Sequence, residues 1–446
     1  MAGEKRGLTE PADDGGCQMR YSEWVGRFSD GQKGELTLWC GLMSLPRLSS
    51  GDVESSRFHR RFSDLVAAVL VLSCLSGCTL LGPDRYGRAA INGGSELLSE
   101  VRAVAKEEGM PAARDLVAQR LSEADESEGE LERRVMRTTR KPDLVLPDSL
   151  AALSLADRQR IAIVIVPGTQ TGFGGPSKTR ACLHEAAKAA EEMGFLTHFI
   201  DTPPRGAVSE NAVLVAEQIA PIFDQADHVA LVMLSKGAHD LIYYLQEYAL
   251  DLPADQRAKI DLVLSLVGTV QGSVVADYFA NAPRLVPIST RLSLRVKGAG
   301  DQIDMLKTVG RSPWRPEDAS RMGEAFPNLT WVSLAMVPDG ADGEIAEKLW
   351  SPFIRWRIAC NSPYYSPADG LVETAATVLP DEVVLPEWIV RAYGSHSMPN
   401  GHYIDGSRVA PQTTVPGDEE LKPISGGEVM NAYLRALPRS LLHYPH

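Results

Sequence analysis

The chain has 446 residues, a formal net charge of -13, 44% hydrophobic and 23% charged residues, and six cysteines. That length holds one large α/β domain with appendages, or two domains, at ordinary globular composition. The acidic balance argues against a nucleic-acid binder, which needs a basic stripe, and gives no electrostatic attraction to anionic lipid. No CxxC pair is present and the cysteines are scattered, which argues against a disulfide scaffold.

Residues 1–42 are largely polar, with Trp24 and Trp39 and no clear period, and are expected to lie upstream of a true start at Met43. The run Leu65-Val-Ala-Ala-Val-Leu-Val-Leu-Ser-Cys-Leu-Ser-Gly77 is uncharged and mostly apolar, and it follows Arg57, His59, Arg60 and Arg61. It is shorter than the roughly 20 apolar residues of a spanning helix and suits the core of a signal peptide, placed at 43–77. Its end, Leu75-Ser-Gly-Cys78, resembles the lipobox of bacterial lipoproteins. That resemblance implies acylation of Cys78 and anchoring to a membrane of the cell envelope. Thr79, where an Asp would retain such a protein at the inner membrane, favours the outer membrane facing the periplasm.

Residues 78–150 read as a linker with a helix. Ala89–Gln119 carries helical spacing, with Leu97, Leu98, Val101, Val104 and Ala105 on one face. The acidic stretch Ser122–Glu132 reads as a solvated helix or a loop. Lys141-Pro-Asp and Leu146-Pro-Asp break any helix. From 151 to 440 the pattern changes to apolar, β-branched runs alternating with helices. Strands are expected at Ile161–Gly168, Phe195–Ile200, Val229–Leu234, Ile260–Gly268, Leu329–Val337 and Glu387–Tyr393. Helices are expected at Lys178–Met193, Ala212–Phe223 and Gly237–Tyr248. Such alternation implies right-handed crossovers and a mainly parallel, doubly wound sheet. The irregular stretch 273–327 stands where a cap or lid insertion is expected.

The residues that could do chemistry begin with Ser235, at the hinge between an apolar strand and a helix that starts at once. A serine hydroxyl becomes nucleophilic when a base takes its proton and a carboxylate orients that base. Downstream, Asp369 sits in the tight loop Ser366-Pro-Ala-Asp-Gly-Leu-Val372, with Asp339 and Asp342 as rivals. His396, just past the last expected strand, is the candidate base, and His402 is the alternative. Charge on the carbonyl oxygen needs N–H donors. One is the backbone of Lys236; the other is Thr169 or Gln170, in the loop Gly168-Thr-Gln-Thr-Gly-Phe-Gly-Gly175. No Gly-Lys-Ser/Thr follows that loop, which argues against a nucleotide site. The residues point to no metal site and no cofactor. Cys182 and Cys360 could pair only if the fold brings them together.

In order, strand–Pro-Gly, Ser235-Lys-Gly, Gly268-Thr-Val-Gln-Gly-Ser273 with Ala276-Asp277, Ala368-Asp-Gly-Leu-Val372 and a late His resemble bacterial lipases and esterases of the α/β-hydrolase superfamily. The resemblance spans about 161–402. It implies an α/β-hydrolase sheet and a Ser235–His396–Asp369 triad cleaving carboxylic esters of small molecules or lipids through an acyl-enzyme. The chain departs from that pattern at Met233, where the family has glycine, at Leu234, where many lipases have histidine, and at Lys236. Met233 is the feature that favours a second expectation, a non-catalytic lipoprotein of the same fold that binds or assembles. An acyltransferase or thioesterase using the same three residues is the third.

Overall fold

A computed structural model describes residues 95–169, 178–281, 302–337, 366–369, 371–393, 402–403 and 426–442. All of them fall in the unit Leu72–His446. The expected signal segment, Cys78 and Thr79 lie outside the described residues.

Seven strands form one sheet in the order β2-β1-β3-β4-β5-β6-β7. They are β1 Ile161–Val166, β2 Leu196–Phe199, β3 His228–Leu234, β4 Ile260–Leu266, β5 Thr330–Met336, β6 Glu387–Tyr393 and β7 His402–Tyr403. The first six are mutually parallel, and β7 runs antiparallel to β6. Alternate residues of a strand face opposite sides, and both faces are covered, which is why the sequence of β1 is apolar throughout. On one face Ile161, Ile163, Ile165, Val232, Leu234, Leu264 and Leu334 pack with residues of three helices. Those helices are α3 Glu130–Arg140, α4 Lys178–Glu192 and α9 Gly426–Ala436. On the other, Val164, Val166, Leu231, Met233 and Val263 pack under α5 Val208–Ile219 and α6 Gly237–Glu247. The expected mainly parallel, doubly wound sheet is therefore present.

Residues 95–150 are not a linker. They form α1 Glu96–Glu107, α2 Met110–Ala124 and α3. The single helical stretch expected over Ala89–Gln119 is broken at Gly109, whose φ of 94 turns the chain, with Pro111 opening α2. Leu98, Val101, Ala113, Val117 and Leu121 are buried against Ala335, Val337, Val372, Ala376 and Ile389, so these helices complete the core over β5 and β6.

The acidic run is not simply solvated either. Before β7 pairs with it, β6 presents an open edge whose backbone groups need partners. Asp125 Oδ1 accepts from Ile389 N at 2.9 Å, and Glu132 Oε2 from Arg391 N at 3.0 Å. Glu126 N donates to Glu387 O at 3.0 Å. Asp125 and Glu132 are buried as a result, and Glu132 also holds the Arg391 guanidinium at 2.8 and 3.0 Å.

The segment expected as a cap contains α7 Val274–Asn281 and α8 Gln302–Val309. Ala276, Met305 and Val309 are buried with Val208 of α5. Its far end, Trp314 to Phe326, returns to the main core: Trp314, Ala319, Met322 and Phe326 are buried with Trp331.

Candidate active site

Because β1 to β6 are parallel, their carboxyl ends share one edge of the sheet, where open α/β sheets place their ligands. Thr169, Ser235 and Asp369 follow β1, β3 and β5 in the chain, and His402 pairs with Tyr393 at the end of β6.

Ser235 is the hinge between β3 and α6, with φ at 52, a left-handed conformation that costs a non-glycine residue on the order of 1–3 kcal/mol. The surroundings impose it. Its N–H donates to Leu266 O at 3.4 Å, and its carbonyl accepts from Ala238 N at 3.0 Å and Thr269 N at 3.1 Å. Two glycines let neighbouring chain come close. A Cβ on Gly168 would stand 2.7 Å from Leu234 O and 3.0 Å from Ser235 Cβ, and one on Gly237 would stand 2.5 Å from Val166 O. The first contact lays the start of the loop after β1, one residue before Thr169, against the serine. The Lys236 N–H belongs to the first turn of α6, where no intrahelical acceptor exists. Val267, at the end of the neighbouring strand, also has positive φ, at 46, rare for a β-branched residue.

Met233 finds room without displacing the hinge. It is fully buried, opposite Val166 and Ser265 in the strand register, on the face covered by α5 and α6.

Polar groups that the sequence alone did not bring together lie beneath the hinge. The Lys236 side chain is buried and its Nζ donates to both Asp240 oxygens, at 2.7 and 2.8 Å. Asn211 Nδ2 of α5 donates to Asp240 Oδ2 at 2.8 Å. Burial pushes the Asp240 carboxyl up to about 6, against the pull of Lys236 and Asn211. His239, one turn into α6 and fully buried, has Nδ1 2.7 Å from Thr269 Oγ1 and Nε2 3.0 Å from Arg311 O. A carbonyl only accepts, so Nε2 carries the proton and Nδ1 accepts from the Thr269 hydroxyl. Burial is the main cause that lowers this imidazole to about 4; the Lys236 charge adds to it and the Arg311 carbonyl opposes it. His239 is therefore neutral at pH 7 with both nitrogens engaged. It acts as a strut between α6, the loop after β4 and Arg311. The i,i+4 spacing of Lys236 and Asp240 was the one signal of this network in the sequence.

Asp369 is buried, in a loop closed by the Ala368–Glu373 bridge. Its N–H donates to Val372 O at 3.0 Å, and its Oδ1 accepts from Leu371 N at 2.9 Å and Val372 N at 2.8 Å. Thr374 Oγ1 donates to Met336 O at 2.6 Å, tying the loop to the end of β5. Ser273 Oγ donates to Leu371 O at 2.7 Å, tying it to the loop after β4. That second loop also holds Ser235 through Thr269, so Ser235 and Asp369 are fixed to one frame.

His396, Gln170, Asp339, Asp342 and Cys360 lie outside the described residues. For His402 the backbone alone is described, in β7 rather than in a loop. Among the described residues, no group of three or more His, Cys, Asp or Glu could hold a metal ion, and no helix is long and apolar enough to cross a membrane.

No family model matches the chain, and no curated protein does. Solved structures similar to it include the lipase BlEst2 of Bacillus licheniformis in mature form, at 17% identity over 54% of this chain and 86% of that one, TM-score 0.37. The phospholipase PlaB of Legionella pneumophila matches at 14% identity over 49% of this chain and 45% of its own, TM-score 0.31. An extracellular α/β-hydrolase from a Paenibacillus species matches at 12% identity over 63% of this chain and 99% of its own, TM-score 0.31.

Proposed function

We propose that this chain is a serine hydrolase of the α/β-hydrolase superfamily that cleaves carboxylic esters. The observation that carries the proposal is Ser235 itself: a left-handed residue between a central parallel strand and the helix that follows it, with Gly168 packed against it and Gly237 packed against the end of β1. This is how such enzymes lift a nucleophile above the sheet edge.

Ser235 Oγ attacks the ester carbonyl while His396, or His402 in its place, takes the hydroxyl proton. The oxygen of the tetrahedral intermediate accepts from Lys236 N–H and from Thr169 or Gln170. The intermediate collapses, the C–O bond to the alcohol breaks, and the histidine returns its proton to the leaving alcohol. Water then adds to the acyl-enzyme by the same proton route and frees the acid. Asp369 orients the histidine and stabilises its charge. In this reading the substrate is a small-molecule or lipid ester, and Cys78 carries the acyl chains that hold the enzyme on the envelope. Met233, seated in the core below an intact hinge, gives no support to the non-catalytic alternative.

The test is labelling of the purified protein by a fluorophosphonate, with the modified peptide mapped. Reaction at Ser235, lost in Ser235→Ala together with turnover of short p-nitrophenyl esters, is expected. An unlabelled, folded protein refutes the proposal. Mass spectrometry of the mature N-terminus tests the anchor, which an unacylated peptide running through Cys78 rules out.

A further inference from the structure

We infer that Arg102, on the N-terminal helix α1, is a positioning residue for the acid of the active site, acting through Glu373. The inference rests on the reading of Asp369 as that acid.

Glu373 is buried, and it closes the loop that carries Asp369, since it forms the bridge with Ala368. Its carboxylate is gripped from two sides. Ser366 Oγ, at the other end of the loop, donates to Oε1 at 2.8 Å. Arg102 Nε donates to the same oxygen at 2.9 Å, and the second arm of its guanidinium meets Oε2. A forked guanidinium fixes the plane of a carboxylate as well as its place. The main chain at the neck of the loop is pinned too, by Thr374 N on Pro367 O at 2.8 Å. This clamp holds both ends of the loop that carries Asp369, and Ser273 holds it at Leu371.

The start of α1 makes a second attachment. Ser95 N donates to Gln271 Oε1 at 2.9 Å, and Gln271 Nε2 donates to Ala375 O at 3.1 Å and Val378 O at 3.0 Å. Between the two, Leu98 and Val101 pack with Val372, Ala375 and Ala376. Helix α1 thus braces the segment that follows Asp369 along its length. A buried arginine is not required for that packing, which apolar side chains supply. The fork is what specifies the orientation of the loop.

The experiment measures kcat, KM and the pH profile of kcat for ester hydrolysis in the unaltered protein, in Arg102→Met and in the double variant Arg102→Met/Glu373→Gln. The single change leaves a buried carboxylate without its cation and threatens folding. The double change removes both charges and keeps a side chain that can bond Ser366. Arg134→Met is the control: Arg134 makes a comparable fork to Asp148, at 3.0 and 2.7 Å, without touching the Asp369 loop. In the folded double variant kcat is expected to fall at least tenfold with KM within about twofold. The acid limb of its profile moves to lower pH, because a misplaced carboxylate stabilises the imidazolium less. Arg102→Lys recovers part of the loss, and Arg134→Met keeps kcat and the profile. A folded double variant with unchanged kcat and unchanged acid limb overturns the inference while leaving the hydrolase reading intact. Failure of a fluorophosphonate to label Ser235 in the unaltered protein removes both.

Discussion

His239 offers a direct check on the network under the hinge. Its imidazole is held near 4, whereas an unperturbed histidine titrates near 6.5. A depressed value means that the unfolded chain binds the proton first. The stability this residue contributes is complete above about pH 6.5 and is lost as pH falls through about 4. The difference of about 2.5 units, at 1.36 kcal/mol each, amounts to about 3 kcal/mol. His239→Gln keeps a group able to donate and accept but cannot titrate. At pH 7 it is expected to cost about 1–3 kcal/mol, for hydrogen bonds to Thr269 and Arg311 that no longer align. Urea unfolding of both proteins at pH 7, 6, 5 and 4 isolates the contribution of His239, since groups common to both cancel in the difference. The gap between them should close, and then reverse, on acidification. A gap independent of pH from 7 to 4 would show that His239 is not the buried neutral strut described above.

Glu387 has the opposite sign. Burial raises its carboxyl from 4.5 to about 7, so its contribution is complete below about pH 4.5 and is lost as pH rises through 7. Glu387→Gln should match the unaltered protein at pH 4 and melt at higher temperature at pH 8; equal melting at pH 8 would contradict this. Gly237→Ala puts a Cβ 2.5 Å from Val166 O and 2.9 Å from Pro167 O, both backbone. It should cost about 1–3 kcal/mol and lower kcat more than tenfold as α6 shifts, read by denaturation and ester turnover. Met233→Ala, at a fully buried site, should cost about 2–5 kcal/mol in the same denaturation assay.

The sheet and the hinge were legible because the signals are local. Val229 to Leu234 is a run of apolar residues that ends at a serine and a glycine, and β1 is β-branched along most of its length. The N-terminal layer was not legible, because its meaning is tertiary. Asp125 and Glu132 look like any acidic stretch until an open strand, 264 and 259 residues away from them, supplies the N–H groups they accept. Lys236 reads as exposed by residue type, yet Asp240 one turn on lets it be buried. Asp369 is a candidate acid by its Asp-Gly loop, but the side chains that hold that loop, Ser273, Glu373 and Arg102, carry no motif.

The same N-terminal layer bears on how far the protein can be trimmed. A shortened form beginning near residue 150 would keep the whole hinge, yet it would present β6 as a bare ladder beside the apolar strip now under Leu98, Val117 and Leu121. Edges of that kind recruit other strands. Self-association of such a fragment would mark the loss of a shield and would say nothing against the hinge it still contains.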